Sequence, residues 1–273
     1  MKKTASPIWT ILVIALTATP CVAGKTNPSS QAKSGPGPDA KIAGYLDSIS
    51  KAQGGDDSTD ALTKSNETLL DYMQKECANP TLISNKLRQA SEKGLGVATS
   101  SDKKMRIYSW DTCTGGTMHF FDALAQYLVD GSPQSKSLLL HPEDRSNAKH
   151  DDPDSGWFYS SIDPIHTVDG KTVYLAMGDG TFSSIDHGVI VEAYSIENDK
   201  LVKTPFFKTE KSLLSEISCY FHNDSSGKDS GIELTDRGTT LKIPLLKGEG
   251  VPTGRFLVYK FDGHKFVYKA ASK

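Results

Sequence analysis

The sequence predicts an α+β fold in which a short N-terminal helical segment precedes an antiparallel β-meander domain, closed as a sandwich, a barrel or a small propeller-like set. Apolar residues recur at three- and four-residue spacing up to Gly94 and at two-residue spacing after it. These are the periods of amphipathic helices and of half-buried strands. Asp-Gly pairs at 169–170 and 262–263 stand between apolar runs, and Asp-Gly supplies the positive φ angles that a tight hairpin turn requires.

The helical segment is predicted over residues 40–94 as three short helices. The first covers 40–53, the second begins at 58 or 59 and stops before Pro80, and the third covers 81–94. Each has its apolar positions on one face. Because so short a segment buries little core by itself, we expect its helices to pack against the sheet.

The β domain is predicted over residues 95–273. Apolar and polar residues alternate at 105–110, 171–177 and 189–194, as they do in strands with one covered face. The polar stretch at 197–200 predicts a further hairpin turn. Consecutive hairpins indicate a meander, in which strands pair with their sequence neighbours.

The segment 118–128 fits two structures. Ala123 and Ala125 favour a helix by propensity, whereas the Gly115-Gly116 pair and the flanking strands favour a strand that leaves a turn. Sheet neighbours outweigh intrinsic propensity in such cases, so the prediction is a strand.

Residues 1–23 are predicted to be a secretory signal peptide. Lys2 and Lys3 precede an apolar run at 8–18, and a small-x-small cleavage site ends at Ala23. The run is shorter than the ~20 residues of a membrane-spanning helix, so we expect no stable transmembrane helix. The Met-Lys-Lys start resembles that of bacterial exported proteins, which implies a periplasmic or extracellular protein.

Lipid attachment at Cys21 is the alternative to cleavage after Ala23. Lipoprotein processing prefers a small residue before the cysteine, and Pro20 stands there instead, so soluble export is favoured. Residues 24–39 are rich in Gly, Pro and Ser and are predicted to be a disordered linker.

Composition argues against nucleic acid as a partner. The 273 residues carry 31 Lys plus Arg against 33 Asp plus Glu, a formal net charge of −2, with no cationic run to neutralise phosphates. No cofactor motif is present, so no cofactor is expected. The sequence does not specify an oligomeric state or name an envelope or extracellular partner.

The cysteines left after signal cleavage are Cys77, Cys113 and Cys219. An odd number permits at most one intramolecular disulfide, and we expect mainly small buried side chains. Without a CxxC pair a zinc site is not predicted. The polar stretch 142–155 lacks the spacing of a calcium-binding EF-hand loop and is expected to be an exposed loop, so no metal is assigned.

The stretch 109–119 gathers Trp110, Asp111, Cys113 and His119. A Cys nucleophile with a His base is one reading of it. A turn with a buried Trp110 is the favoured reading, because nothing identifies a third orienting group. A ligand-contact loop that uses Trp110, Asp111 and His119 is the remaining alternative.

Two further stretches contribute candidates. Ser183 or Ser184, with Asp186 and His187, suggests a hydrolase triad, but no nucleophile elbow surrounds either serine. Trp157 is followed by two more aromatic residues, which predicts a strand covered on both faces or an exposed ring for ligand contact. The predicted ligand-binding residues are therefore Trp110, Asp111, His119, Trp157 and His187, and no catalytic residue is assigned.

The leading functional hypothesis is an exported, non-enzymatic binding module that contacts a protein, a glycan or an envelope component through loops of the β domain. An envelope hydrolase with acid–base residues among Asp111, His119, Asp186 and His187 is the second hypothesis. An inhibitor or immunity protein for a secreted toxin is the third. A pocket of converging titratable groups would support an enzyme, and a flat aromatic patch would support binding.

Overall fold

A computed structural model describes residues 35–53, 58–140, 156–222, 231–248 and 250–271. The predicted signal peptide at 1–23, the linker up to residue 34 and the predicted exposed loop at 142–155 lie outside these residues. The described residues from 36 onward belong to one compact unit. Among the helices that the structure describes, none is both long and apolar enough to cross a bilayer.

Helices occupy the N-terminal part, as predicted. They are α1 (Pro38–Ala52), α2 (Ser58–Glu76), a 3-10 helix (Pro80–Ser84) and α3 (Arg88–Glu92). Helix α1 begins two residues inside the predicted linker, because the fixed φ of Pro38 suits the first turn of a helix.

The predicted third helix at 81–94 is wrong as a single element. It is divided into the 3-10 helix and α3, and Leu87 between them is left-handed with φ 44°. Arg106 explains the break: its Nη1 donates to the carbonyls of Leu82 at 2.9 Å and Asn85 at 2.7 Å. These carbonyls are satisfied by a side chain from a strand, so the helix does not need to continue.

The strands within the described ranges form three sheets that are antiparallel except at one pair. The first sheet has the order β1-β2-β3-β4, with β1 (Gly96–Thr99), β2 (Met105–Asp111), β3 (Phe121–Leu128) and β4 (Ser135–Leu139). The second has the order β11-β7-β6-β5, with β8 paired to β7: β5 (Phe158–His166), β6 (Thr172–Thr181), β7 (Asp186–Glu197), β8 (Lys200–Lys203) and β11 (Glu216–His222).

The third sheet has the order β10-β9-β15-β14-β13-β12. Its strands are β9 (Phe207–Lys208), β10 (Leu213–Leu214), β12 (Glu233–Thr235), β13 (Thr240–Lys247), β14 (Val251–Phe261) and β15 (Phe266–Ala271), and a short 3-10 helix (Asp236–Gly238) separates β12 from β13. Strands β15 and β9 are parallel. The predicted α+β class with antiparallel meander sheets is confirmed.

The predicted hairpin turns are confirmed. Gly170, between β5 and β6, has φ 80°, and Gly263, between β14 and β15, has φ 100°. Asn198 and Asp199, between β7 and β8, have φ 48° and 64°, as a two-residue turn of the primed type requires.

The ambiguous segment at 118–128 contains strand β3, so the predicted strand is confirmed at 121–128. It pairs with β2 on one side and β4 on the other. Ala123 and Ala125 are fully buried in the core between the first and second sheets, where pairing on both edges overrides the helix propensity of alanine.

Three apolar cores lie one after another between the layers. The helices pack on one face of the first sheet around Leu69 and Trp110. The other face of that sheet packs on the second sheet around Ile107 and Tyr159. The opposite face of the second sheet packs on the third around Phe207. Successive strand residues point to opposite faces, so a sheet covered on both sides buries nearly every residue of its central strands.

Candidate functional site

The β2–β3 loop brings Asp111 and His119 together. One carboxylate oxygen of Asp111 lies against His119 Nδ1, and the other accepts a hydrogen bond from the backbone N–H of Cys113 at 2.8 Å. The backbone N–H of His119 donates to Thr181 O at 3.0 Å, which holds the loop against the end of β6. The side chains of His119 and Asp111 remain 45% and 29% exposed, so this pair is open to solvent.

Cys113 does not have the properties of an activated nucleophile. Partial burial, together with the neighbouring Asp111 charge, raises the pKa of its thiol, whereas a catalytic cysteine needs a lowered pKa to supply thiolate. Its Sγ lies 3.9 Å from the carbonyl oxygen of Asp111. Cys77, Cys113 and Cys219 are all free thiols.

The two predicted tryptophans are buried. Trp110 is 0% exposed in the core beneath the helices, and its Nε1 donates to Asn66 Oδ1 at 3.2 Å, so the interpretation as a turn beside a buried Trp110 is confirmed. Trp157 is 3% exposed and lies just before β5. Phe158 after it is half-buried and Tyr159 is 1% exposed, so none of the three consecutive rings is exposed. Both tryptophan side chains therefore offer a ligand almost no contact area.

Ser183, Asp186 and His222 form a second polar group at the end of the second sheet. Ser183 Oγ donates to Asp186 Oδ2 at 2.7 Å, and Asp186 Oδ1 lies against His222 Nδ1. The Ser183 hydrogen bond, helped by the charges of His222 and His187, lowers the pKa of Asp186. The carboxylate stands between serine and imidazole, whereas a hydrolase triad places the imidazole between the other two groups. Ser183 is therefore not activated by a base.

His187 is not part of this group. It follows Asp186 in β7, so the two side chains point to opposite faces of the second sheet. Its ring stacks on Phe221 with centroids 6.3 Å apart. Of the five predicted ligand-binding residues, the structure therefore brings Asp111 and His119 together, buries the two tryptophans and places His187 on another face.

Three aromatic rings pack together beside Asp186. Phe182 lies 5.1 Å from Tyr220 and 5.6 Å from Trp157, and Trp157 lies 5.9 Å from Tyr220, measured between ring centroids. The rings rest on glycine: a Cβ at Gly188 would stand 2.7 Å from Phe182 and 3.2 Å from Trp157. Tyr220 is 39% exposed, so the group presents an aromatic ring to solvent.

We call Phe182, Ser183, Asp186, Tyr220 and His222 the aromatic–histidine surface. The Asp111–His119 pair adjoins it, because the backbone N–H of His119 donates a hydrogen bond to the carbonyl of Thr181, the residue before Phe182. Sequence reasoning missed Tyr220 and His222, because the pairing of β11 with β7 brings them to Gly188 and Asp186 from a distant part of the chain.

The surface offers an apolar ring, a carboxylate held ionised and imidazole groups. Within the residues that the structure describes, no three His, Cys, Asp or Glu side chains are arranged to hold a metal ion. The exposed ring, the carboxylate and the imidazoles suit stacking and hydrogen bonding. No protein-family model, curated protein or solved structure matches this chain.

Proposed function

We propose that the protein is an exported, non-enzymatic binding module that contacts a glycan through the aromatic–histidine surface. The observation that carries this proposal is the exposed ring of Tyr220 beside the Asp186–His222 pair. The apolar C–H face of a sugar packs on an aromatic ring, while its hydroxyls donate to carboxylates and bond imidazoles. Tyr220, Asp186 and His222 supply these complementary groups within one strand pair.

The fixed geometry of the surface also supports binding. Phe182 and Trp157 hold Tyr220 from the side, and Ser183 holds Asp186. Groups that are positioned before the ligand arrives lose little conformational entropy on binding, which favours affinity.

The signal-peptide pattern at 1–23 supports export to the periplasm or the exterior, with lipid attachment at Cys21 as the alternative. In either location the protein would meet the glycan polymers of a bacterial envelope. A glycan is therefore the partner that both the expected location and the aromatic–histidine surface favour.

Co-sedimentation with purified peptidoglycan sacculi tests this proposal. Tyr220→Ala should weaken binding by about tenfold, since it removes the stacking ring. Leu138→Ala is the matched control, because Leu138 is also 39% exposed but lies in β4 of the first sheet. Wild-type protein that stays in the supernatant, or equal binding by the two variants, would show the proposal to be wrong.

A hydrolase is the second candidate, favoured by the Asp111–His119 pair alone. A carboxylate that orients an imidazole prepares it to act as a general base toward water. New reducing ends released from sacculi by the wild type, and lost in His119→Gln, would establish hydrolysis and replace the non-enzymatic proposal. Binding without release of reducing ends supports the binding module.

A further inference from the structure

A polar cleft lies at the opposite end of the second sheet from the aromatic–histidine surface. Its volume is about 450 Å³, which is within the range of small-molecule sites. Turns between strands of the first and second sheets surround it. The residues used below, all of which line it, are Asp102, Asp130, His166, Lys171, Tyr174 and Glu197.

Charges of opposite sign line different parts of the cleft. His166 and Lys171 belong to the β5–β6 hairpin and form a wall that offers an imidazole and an ammonium group. Asp102 and Asp130 belong to the turns that flank β2 and β3, and Glu197 ends β7. A ligand in the cleft therefore meets His166 and Lys171 from one hairpin and three carboxylates from the other elements. Lys104 also lines the cleft and is paired with one of these carboxylates, Asp130.

The acidic part is built before any ligand binds. Asp102 accepts hydrogen bonds from Ser100 Oγ at 2.6 Å, from the Lys104 backbone N–H at 3.0 Å and from Tyr174 OH at 2.9 Å. Partial desolvation would raise the pKa of Asp102, but these hydrogen bonds outweigh it and lower the pKa. Lys104 Nζ also donates to Asp130 Oδ1 at 2.8 Å, so Asp102 is held by three hydrogen bonds and Asp130 by an ion pair at the surface.

We infer that this cleft binds a zwitterion of dipeptide size, with the ligand carboxylate toward His166 and Lys171 and the ligand ammonium toward Asp130 and Glu197. A group of each sign on the ligand finds an opposite charge on the protein, and charge-assisted hydrogen bonds are the stronger kind. The volume of the cleft exceeds what a single amino acid fills, which favours a dipeptide. The cleft shares no residue with the aromatic–histidine surface, so the inference stands independently of the proposed function.

Calorimetric titration of the full chain with alanyl-alanine tests the inference. Acetyl-alanyl-alanine, which has no ammonium group, and alanyl-alanine amide, which has no carboxylate, are the matched probes. We expect alanyl-alanine to bind in the millimolar range or tighter and each blocked probe to bind about tenfold more weakly.

Variants assign the two walls. Lys171→Gln should weaken the binding of alanyl-alanine by about tenfold and leave the affinity for the amide probe unchanged. Glu197→Gln should weaken the binding of alanyl-alanine to a similar extent and leave the affinity for the acetylated probe unchanged. Lys200→Gln is the control, because Lys200 is exposed in β8 and does not line the cleft. Three results would overturn the inference. They are no detectable binding of alanyl-alanine at a concentration of about 10 mM, equal affinity for all three probes, or unchanged affinity in both variants.

Discussion

Lys203 Nζ lies 2.7 Å from Glu192 Oε1, and this contact links a fully buried carboxylate to a side chain that is 41% exposed. Lys203 Nζ also lies 2.6 Å from Glu216 Oε2. On the other side of the carboxylate, the hydroxyls of Tyr159 and Tyr194 both donate to Glu192 Oε2. Burial raises the pKa of both tyrosines, so they act as neutral donors. Glu192 is thus a polar centre within the core between the first and second sheets.

Lys203→Met should destabilise the protein strongly. The substitution keeps much of the side-chain volume but leaves the Glu192 carboxylate without its cation, and breaking a buried ion pair from one side costs about 3–5 kcal/mol. The free energy of unfolding from urea titration measures the loss. Lys136→Met is the control: Lys136 pairs with Asp199 at the surface, and we expect a change below about 1 kcal/mol there.

A double variant identifies the cause of the Lys203 effect. Glu192→Gln combined with Lys203→Met removes both charges, so it should recover part of the stability lost in Lys203→Met. A double variant that is less stable than Lys203→Met would contradict the buried charge as the cause and would point to lost packing of the lysine stem.

Asn66 connects α2 to the end of β2 and to the loop that follows Asp111. Its Nδ2 donates to Leu62 O and to Thr112 O, each at 2.9 Å, and its Oδ1 accepts from Trp110 Nε1. Asn66→Ala should lower the free energy of unfolding by about 2–3 kcal/mol, because Trp110 Nε1 and Thr112 O are left buried without this partner.

Thermal unfolding followed by circular dichroism measures the Asn66 effect. Gln89→Ala, on an exposed position of α3, should change the midpoint far less. Equal midpoints for Asn66→Ala and Gln89→Ala would show that the Asn66 hydrogen bonds do not stabilise the fold.

Local sequence patterns were sufficient for the hairpins and insufficient for the third helix. The turns at Gly170 and Gly263 are specified by residues within the turn itself, so the sequence contains the whole signal. The break at Leu87 depends on Arg106, which reaches the 3-10 helix from β2. A window of sequence around 81–94 contains no sign of that contact.

The candidate site shows the same division between near and distant partners. Asp111 ends β2 and His119 lies in the loop that follows it, so their pairing could be expected from the sequence. His222 joins Asp186 only through the register of β11 against β7, with β8, β9 and β10 between them in the chain. The burial of Trp157 likewise depends on Gly180 and Gly188, whose missing side chains make room for its ring.

The described cysteines should react with iodoacetamide in the order of their accessibility and pKa. Burial raises the pKa of Cys219 to about 11 and that of Cys77 to about 12, and Cys77 is fully buried. We expect Cys113 to react first, Cys219 next and Cys77 last, as measured by peptide mass spectrometry. Cys113 should react more slowly than a free cysteine at pH 7, because less of its thiol is ionised.

Asp111→Asn should accelerate alkylation of Cys113, since it removes a neighbouring negative charge that raises the thiol pKa. The rates for Cys219 and Cys77 in the same sample serve as internal controls. A Cys113 that reacts faster than free cysteine in the wild type would contradict the raised pKa and would revive the nucleophile reading.

Acid should lower the free energy of unfolding partly through protonation of Asp102. Its folded-state pKa is lowered, so its ionised form contributes stability that is fully present above the unfolded pKa near 3.9 and is lost as the pH falls through the folded pKa. Asp102→Asn should therefore destabilise the protein at pH 7, and the difference from wild type should shrink as the pH falls below about 4. Urea midpoints at a series of pH values measure this. A difference that stays constant down to pH 2 would contradict the assigned role.

Gly188→Ala tests whether the absence of a side chain at Gly188 determines how the rings of the aromatic–histidine surface are arranged. The new Cβ would stand 2.7 Å from Phe182 Cε2 and 3.2 Å from the Cys219 carbonyl oxygen. The ring can move and the backbone oxygen cannot, so Phe182 should tilt and disturb its contact with Tyr220. We expect about threefold to tenfold weaker sedimentation with sacculi, on the scale of one aromatic contact. Gly44→Ala is the matched control, because a Cβ there meets nothing within 4 Å and alanine favours the helix α1. If Gly188→Ala binds sacculi as the wild type does although its Tyr220 NMR resonances have shifted, the arrangement of the rings does not determine glycan binding.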